Sequence, residues 1–240
     1  SVRIVVASDY HWTLAGEVER GIFKVPDVAL AKVREFTSLG GVFVLATSGS
    51  MRHIGDLASL LRGIAYIALE NGLILVKPDG SIVNNAPDWW RPVKESIVNE
   101  LSRLGIGFTM GYEAIFLKAH DVGGLGLEDR YPVKLEYNRG LVSVMPRGVD
   151  KGFVVRVLRG MFKGYIIVAV GDAENDLSMF READIAVAVA NALDVVKGEA
   201  DYVTDREDGL GVAEVLDAAI RCGEGLRRCL DSDARFTKVH

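Results

Sequence analysis

Asp9-Tyr10-His11-Trp12-Thr13, Thr47-Ser48-Gly49-Ser50, Asp150-Lys151-Gly152 and Gly171-Asp172-Ala173-Glu174-Asn175-Asp176 are the stretches whose residue types could do chemistry together. They hold two groups of carboxylates, a hydroxyl beside a glycine, and a lysine. A carboxylate such as Asp9 can attack phosphorus and form an acyl phosphate that water later cleaves. Oxygens from Asp9 and Asp172 suit Mg2+, which prefers carboxylates and waters in an octahedron. Asp176, four residues after Asp172, would meet it across one helical turn and hold a metal-bound water. Ser48, with the amides of Gly49 and Ser50 at the start of a predicted helix, makes an anion site. Lys151, in the first turn of its own predicted helix, adds a cation against a transferring group. The chemistry this set allows is Mg2+-assisted phosphoryl transfer, in which attack is in line and charge on the equatorial oxygens is neutralised.

For four distant stretches to meet, the fold must deliver them to one edge. In an open parallel sheet, ligands bind beyond the carboxyl ends of the strands, and the apolar pattern predicts such a sheet. Buried strands are expected at Arg3–Ser8, Val42–Ala46 and Ile64–Leu69, alternating with a helix over Pro26–Leu39 and another marked by Ile54, Leu57, Ala58, Leu60 and Leu61. From Asp150 the rhythm resumes: a helix to Gly160, a strand at Tyr165–Val170, a helix from Glu174 and a strand at Ile185–Val189. A short helix near Asn191, a strand at Tyr202–Thr204 and a last helix from about Gly209 follow. This alternation implies right-handed crossovers and a parallel sheet covered on both faces. Each of the four stretches then follows a strand or opens a helix. Singly, Asp9 could cap a turn and Lys151 could be a surface lysine; their joint placement favours a site.

Between these halves the pattern changes. Pro78-Asp79-Gly80 between Ile74–Val76 and Ile82–Val83 is a hairpin signal. A helix over Trp89–Leu104 and strands near Ile115–Lys118, Val133–Tyr137 and Leu141–Met145 suggest an inserted domain over residues 77–148, with the core at 1–76 and 149–240. Gly123-Gly124-Leu125-Gly126 lacks a complete dinucleotide pattern and reads as a surface loop.

With 28 Lys and Arg against 33 Asp and Glu, the net charge of −5 argues against non-specific nucleic-acid binding. No apolar run approaches the ~18–20 residues that span a bilayer, so no membrane partner and a cytoplasmic location are expected. Cys222 and Cys229, on a continuous helix, would lie about 10 Å apart, beyond the reach of a disulfide. They have no His or Cys companions for zinc. His53, His120 and His240 carry no ligand spacing and read as surface residues.

The order and spacing of the four stretches resemble the haloacid dehalogenase superfamily. Its phosphatases carry Asp-x-Asp-Gly-Thr, then Ser or Thr, then Lys, then Gly-Asp-x-x-Asn-Asp. Glu70-Asn71-Gly72, Asn191-Ala192 and Ala200-Asp201-Tyr202-Val203-Thr204 narrow the similarity to the branch with a compact α/β cap between the second and third motifs. Within that branch, length and cap size are most similar to the archaeal phosphoglycolate phosphatases. The resemblance covers residues 3–76 and 149–220. It implies a Rossmann-like α/β parallel-sheet core with a smaller inserted α/β cap. It also implies Mg2+-dependent hydrolysis of a small phosphorylated metabolite, such as 2-phosphoglycolate, by a monomer or homodimer. By the same resemblance Asp9 is the nucleophile, and Asp9, Asp172, Asp176 and the carbonyl of His11 hold the metal. Ser48, Gly49 and Lys151 take the phosphate.

The first motif departs from the family at two positions. His11 stands where the family has its acid/base Asp, and Trp12 stands where it has Gly. The imidazole could do the proton transfer itself, with a nearby metal favouring its use as a base. Without proton transfer, the rate would fall by ~10²–10⁴ and only good leaving groups would turn over. The remaining alternatives are phosphate binding without catalysis and phosphotransfer to an acceptor. Trp12 reads as a packing change or an aromatic at the site mouth, Trp89-Trp90 as packing of the second domain or its hinge, and Tyr10 as lying near the interface of the two domains.

Overall fold

The structure is a computed structural model that describes residues 1–54 and 62–240. Apart from Ile54, the helix expected over Ile54–Leu61 lies outside the described residues. The chain opens with β1 (Ile4–Ser8), a hairpin of β2 (Gly16–Glu19) and β3 (Ile22–Lys24), α1 (Asp27–Ser38), β4 (Val42–Ala46) and β5 (Tyr66–Leu69). A second hairpin, β6 (Ile74–Val76) and β7 (Ile82–Asn84), precedes α2 (Trp90–Arg103), β8 (Thr109–Met110), β9 (Ile115–Lys118), α3 (Leu127–Arg130), β10 (Val133–Asn138) and β11 (Leu141–Pro146). Then come α4 (Lys151–Met161), β12 (Ile166–Gly171), α5 (Leu177–Glu182), β13 (Ile185–Ala188), α6 (Asp194–Glu199) and β14 (Tyr202–Thr204). The chain closes with α7 (Asp208–Cys222), α8 (Leu226–Ser232) and β15 (Phe236–Lys238).

The larger sheet runs β15-β14-β13-β12-β1-β4-β5-β6-β7. Its six middle strands are parallel, and β15, β6 and β7 are antiparallel additions at the two margins. Every residue of β1 is buried, as expected of a central strand with both faces covered. The hairpin predicted around Pro78-Asp79-Gly80 forms and extends this sheet through β7.

The second sheet is antiparallel, in the order β10-β11-β9-β8. Alternation splits its two faces. Val133, Val142, Val144, Ile115 and Leu117 pack with Trp90, Ile97 and Leu101 of α2 in a separate small core. The opposite face carries Lys134, Glu136 and Asn138 and turns toward the larger sheet, where Lys134 pairs with Asp150 at 2.9 Å. Trp90 is thus core, its indole N–H donating to the Glu113 carbonyl, while Trp89 is 41% exposed.

The β2–β3 hairpin, α8 and β15 lack a strong sequence signal and were not expected. The expectation for the cysteines is overturned, because Cys222 and Cys229 form a disulfide. The continuous helix behind that expectation does not exist. Helix α7 stops at Cys222, Gly223 takes φ 53° and a 3-10 turn over Gly223–Gly225 redirects the chain. The two Cα atoms therefore lie 6.3 Å apart.

Candidate active site

The four stretches meet at the carboxyl edge of the larger sheet. Asp9 leaves β1 with its N–H still donating to Val170 on β12. Its Oδ1 accepts from the Tyr10 N–H at 2.7 Å and lies 3.0 Å from Lys151 Nζ. Lys151 opens α4 behind Asp150, whose side chain caps the helix by accepting from Phe153 N–H. The Lys151 ammonium is completely enclosed and also donates to Asp176 Oδ1 at 2.7 Å. The other Asp176 oxygen accepts from the amides of Asp172 and Ala173 at 2.9 and 3.1 Å. That approach needs a glycine at Gly171, where a Cβ would lie 2.5 Å from the Asp176 carboxyl carbon. Asp172 in turn accepts from Thr13 Oγ1 at 2.8 Å. Oxygens of Asp9, Asp172 and Asp176 all lie within 4.8 Å of one another.

Three carboxylates so close and so dry repel one another. Burial, with the charge of Asp172 adding to it against the pull of Lys151, pushes Asp9 up to about 7. Burial and the charge of Asp9 push Asp176 up to about 7. Asp172 is raised by burial and by Asp176. Burial acts to lower Lys151, but Asp176 and Asp9 outweigh it and hold the ammonium above its ordinary value. Crowded hard oxygen donors under such repulsion suit a divalent cation, which would relieve it. The His11 ring stands outside this group, edge-on to Tyr10 and Phe23 at centroid distances of 4.8 and 4.7 Å. Burial lowers its pKa to about 4. Tyr10 itself is fully buried in the main core.

Past β4, Ser48 is partly exposed and its hydroxyl accepts from Asn138 Nδ2 of the second sheet at 3.1 Å. The neighbouring amides expected to take an anion are engaged inside their own loop. Gly49 N–H donates to Thr47 Oγ1 at 3.2 Å and Ser50 N–H to His53 Nδ1 at 2.9 Å. His53 is therefore exposed, as expected, yet it shapes the loop. Only a 3-10 turn, Met51–His53, follows directly within the described residues.

The sequence marks Glu70 only as part of the Glu70-Asn71-Gly72 turn, with no role for its side chain, and does not mark Arg139 at all. Glu70 and Asn71 both take positive φ (51° and 56°) ahead of Gly72. This left-handed turn buries the Glu70 carboxylate under the β8–β9 turn. Its Oε1 accepts from the amides of Glu113 and Ala114 at 2.9 and 2.8 Å. Its Oε2 accepts from Tyr112 N–H at 2.9 Å and Ser50 Oγ at 3.3 Å. A Cβ at Gly111 would overlap this carboxylate. Arg139, at the tip of the β10–β11 hairpin, places Nε 2.7 Å from Asp172 Oδ2 and donates through Nη2 to the Asn191 carbonyl at 2.9 Å. The Asn-Gly-like turn position was readable in Arg139-Gly140, but its target was not.

A cluster of this make-up invites comparison with known proteins. The profile of the haloacid dehalogenase-like hydrolases matches residues 128–216. Phosphoglycolate phosphatase 2 of Saccharolobus solfataricus is 38% identical over 221 residues, 90% of this chain and 92% of that protein. This chain belongs to the haloacid dehalogenase-like phosphatases. Another such phosphatase, the phosphoglycolate phosphatase of Sulfurisphaera tokodaii, is 32% identical over 228 residues, 94% of this chain and 98% of its own. Among solved structures, a Thermoplasma acidophilum protein superposes with a TM-score of 0.72 at 22% identity, covering 91% of this chain and 99% of that one. A subclass IIB sugar phosphatase of the superfamily gives 0.75 at 16% identity, with 89% and 98% covered. These two share the fold of this chain. Among the described residues no helix is long and apolar enough to cross a membrane.

Proposed function

We propose that the protein hydrolyses a small phosphate monoester in a Mg2+-dependent reaction through an aspartyl-phosphate on Asp9, with 2-phosphoglycolate as the substrate. The observation that carries this reading is the buried Lys151 ammonium, which joins Asp9 to Asp176 while Asp172 lies in the same cluster. The substrate rests on the names of the Saccharolobus and Sulfurisphaera relatives.

Asp9, Asp172 and Asp176 would hold the cation, with the His11 carbonyl beside them. When bound, Mg2+ supplies positive charge to the phosphoryl oxygens. The Asp9 carboxylate, oriented by Tyr10 N–H and Lys151, attacks phosphorus as the bond to the leaving oxygen breaks. Lys151 and the Ser48 hydroxyl steady the phosphoryl group during transfer. Water then attacks phosphorus, releasing inorganic phosphate and restoring the Asp9 carboxylate. Because the His11 ring packs outside the carboxylate cluster, the proton gained by the leaving oxygen and the one lost by the attacking water are exchanged with solvent. Asp176 keeps Lys151 in place and ties the loop after β12 through two amides.

The test is hydrolysis of 2-phosphoglycolate and of an activated aryl phosphate, with Mg2+ and with chelator. Turnover that needs the metal and vanishes in Asp9→Asn supports the reading. Turnover that persists in Asp9→Asn removes the aspartyl-phosphate from it.

A further inference from the structure

The geometry points to Arg139, braced by Trp12, as the residue that reads an anionic group at the far end of the substrate, so that the enzyme selects short phosphate monoesters bearing a carboxylate. This deepens, and rests on, the phosphatase reading of the same site.

The hairpin tip touches both sides of the reaction centre. Asn138 donates to the Ser48 hydroxyl, and Arg139 next to it reaches Asp172. A group attached to the leaving oxygen must therefore lie against this tip. Inside the site Lys151 is sealed between two carboxylates, with its side chain 0% exposed, whereas the Arg139 side chain is 28% exposed. Lys151 is committed to the phosphoryl position beside Asp9, so of these two cations Arg139 is the one left for the rest of the substrate. A guanidinium presents parallel N–H donors that match a carboxylate, which an ammonium does not.

Four contacts fix Arg139. Besides Asp172 and the Asn191 carbonyl, its backbone N–H donates to Glu174 Oε1 at 3.0 Å. Its guanidinium lies over the Trp12 ring, 5.7 Å from the centroid. Both residues take a left-handed backbone, with φ 48° at Arg139 and 63° at Trp12, which side chains other than glycine adopt at a cost. Such strain persists only where the surroundings over-determine it. Trp12 N–H donates to the Ala15 carbonyl, and the Trp12 carbonyl accepts from Asn191 Nδ2. Its ring also meets Phe23 edge-on, with 5.1 Å between centroids. Trp12 stands where the resembling family has glycine, so the ring is an addition that supports the guanidinium by cation–π attraction. In this scheme Arg139 binds substrate and Trp12 is a positioning residue.

The experiment compares 2-phosphoglycolate with 2-hydroxyethyl phosphate, in which CH2OH replaces the carboxylate, and with an aryl phosphate. The readout is the ratio of kcat/KM for the first two. Wild type is expected to favour phosphoglycolate by about 100-fold or more, within the range that a paired charge provides. Arg139→Met should cut that ratio at least tenfold, chiefly through KM, and Arg139→Lys should restore part of it. Trp12→Gly, at a φ that glycine adopts freely, should keep the fold and also lower the ratio. An unchanged ratio in folded Arg139→Met or Trp12→Gly overturns the respective role. Equal wild-type preference for the two alkyl esters overturns the proposal while leaving the phosphatase reading intact. Silence on all three esters overturns both.

Discussion

Replacing Glu70 by Gln should destabilise the protein out of proportion to the single atom changed. The carboxylate accepts four hydrogen bonds, three of them from consecutive amides of the β8–β9 turn. A glutamine can keep its oxygen on Glu113 and Ala114, but its NH2 then faces the Tyr112 N–H, donor to donor. Hydrogen bonds to a charged group contribute roughly 1.5–3 kcal/mol each, and a buried donor left unsatisfied costs about 1–3 kcal/mol. One lost charged bond, one stranded amide and two weakened bonds together give about 3–5 kcal/mol. For a chain of this size each kcal/mol lowers Tm by roughly 2–4 °C, so the melting point should drop by about 6–20 °C. Calorimetry of wild type and Glu70→Gln under one buffer and metal condition reads this directly. A loss below about 1 kcal/mol would mean that the turn finds other partners and that the clamp is unimportant.

Three further outcomes can be measured. In chelator, the raised values of Asp9 and Asp176 (about 7 each) mean that the folded state holds protons that the unfolded chain has released. Stability of the metal-free protein should therefore fall as pH rises from about 4 through 7, and a stability that rises over that window in denaturant melts would contradict the site electrostatics. Cys222→Ser opens a short closed loop worth about 2.5 kcal/mol in chain entropy, so its Tm should lie about 5–10 °C below wild type, and equal melting points would show the cystine to be neutral. His11→Asp should raise kcat on alkyl phosphates by ~10²-fold, at the low end of general acid–base effects, and raise it less on aryl phosphates, whose leaving groups need no proton; an equal gain on both would remove leaving-group protonation as the cause.

Much of this was readable from sequence because each element carried a local signal. The Ile4–Ser8 strand is apolar on both faces, so only a covered parallel sheet could house it. Asp9, Lys151 and Asp172 follow directly from where such strands end and helices begin. Arg139 gave no comparable signal: an arginine in a hairpin turn ordinarily faces solvent, and its partner Asp172 is 33 residues away in sequence. Glu70 was hidden for a related reason, since a carboxylate in a turn is usually hydrated and its amide donors come from residues more than 40 positions later. The amides of Gly49 and Ser50 illustrate the reverse. Their motif promised open donors, but Thr47 and His53 side chains compete for them locally. For the cysteines, helix periodicity extended past Cys222 overstates their separation, because the helix ends there and Gly223–Gly225 turn the chain.

The cystine also has a bearing on how the protein meets other copies of itself. It joins α7 to α8, and α8 leads into β15, whose three residues cover the open side of β14. Tyr202 on β14 donates to Asp231 at 2.5 Å, and Lys238 on β15 lies 3.3 Å from the same carboxylate. An uncovered parallel strand is a template on which another chain can pair and aggregate. Opening the cystine would loosen that short cover first, far from Asp9. Reduction should then shorten the shelf life of a concentrated solution well before it changes the turnover rate.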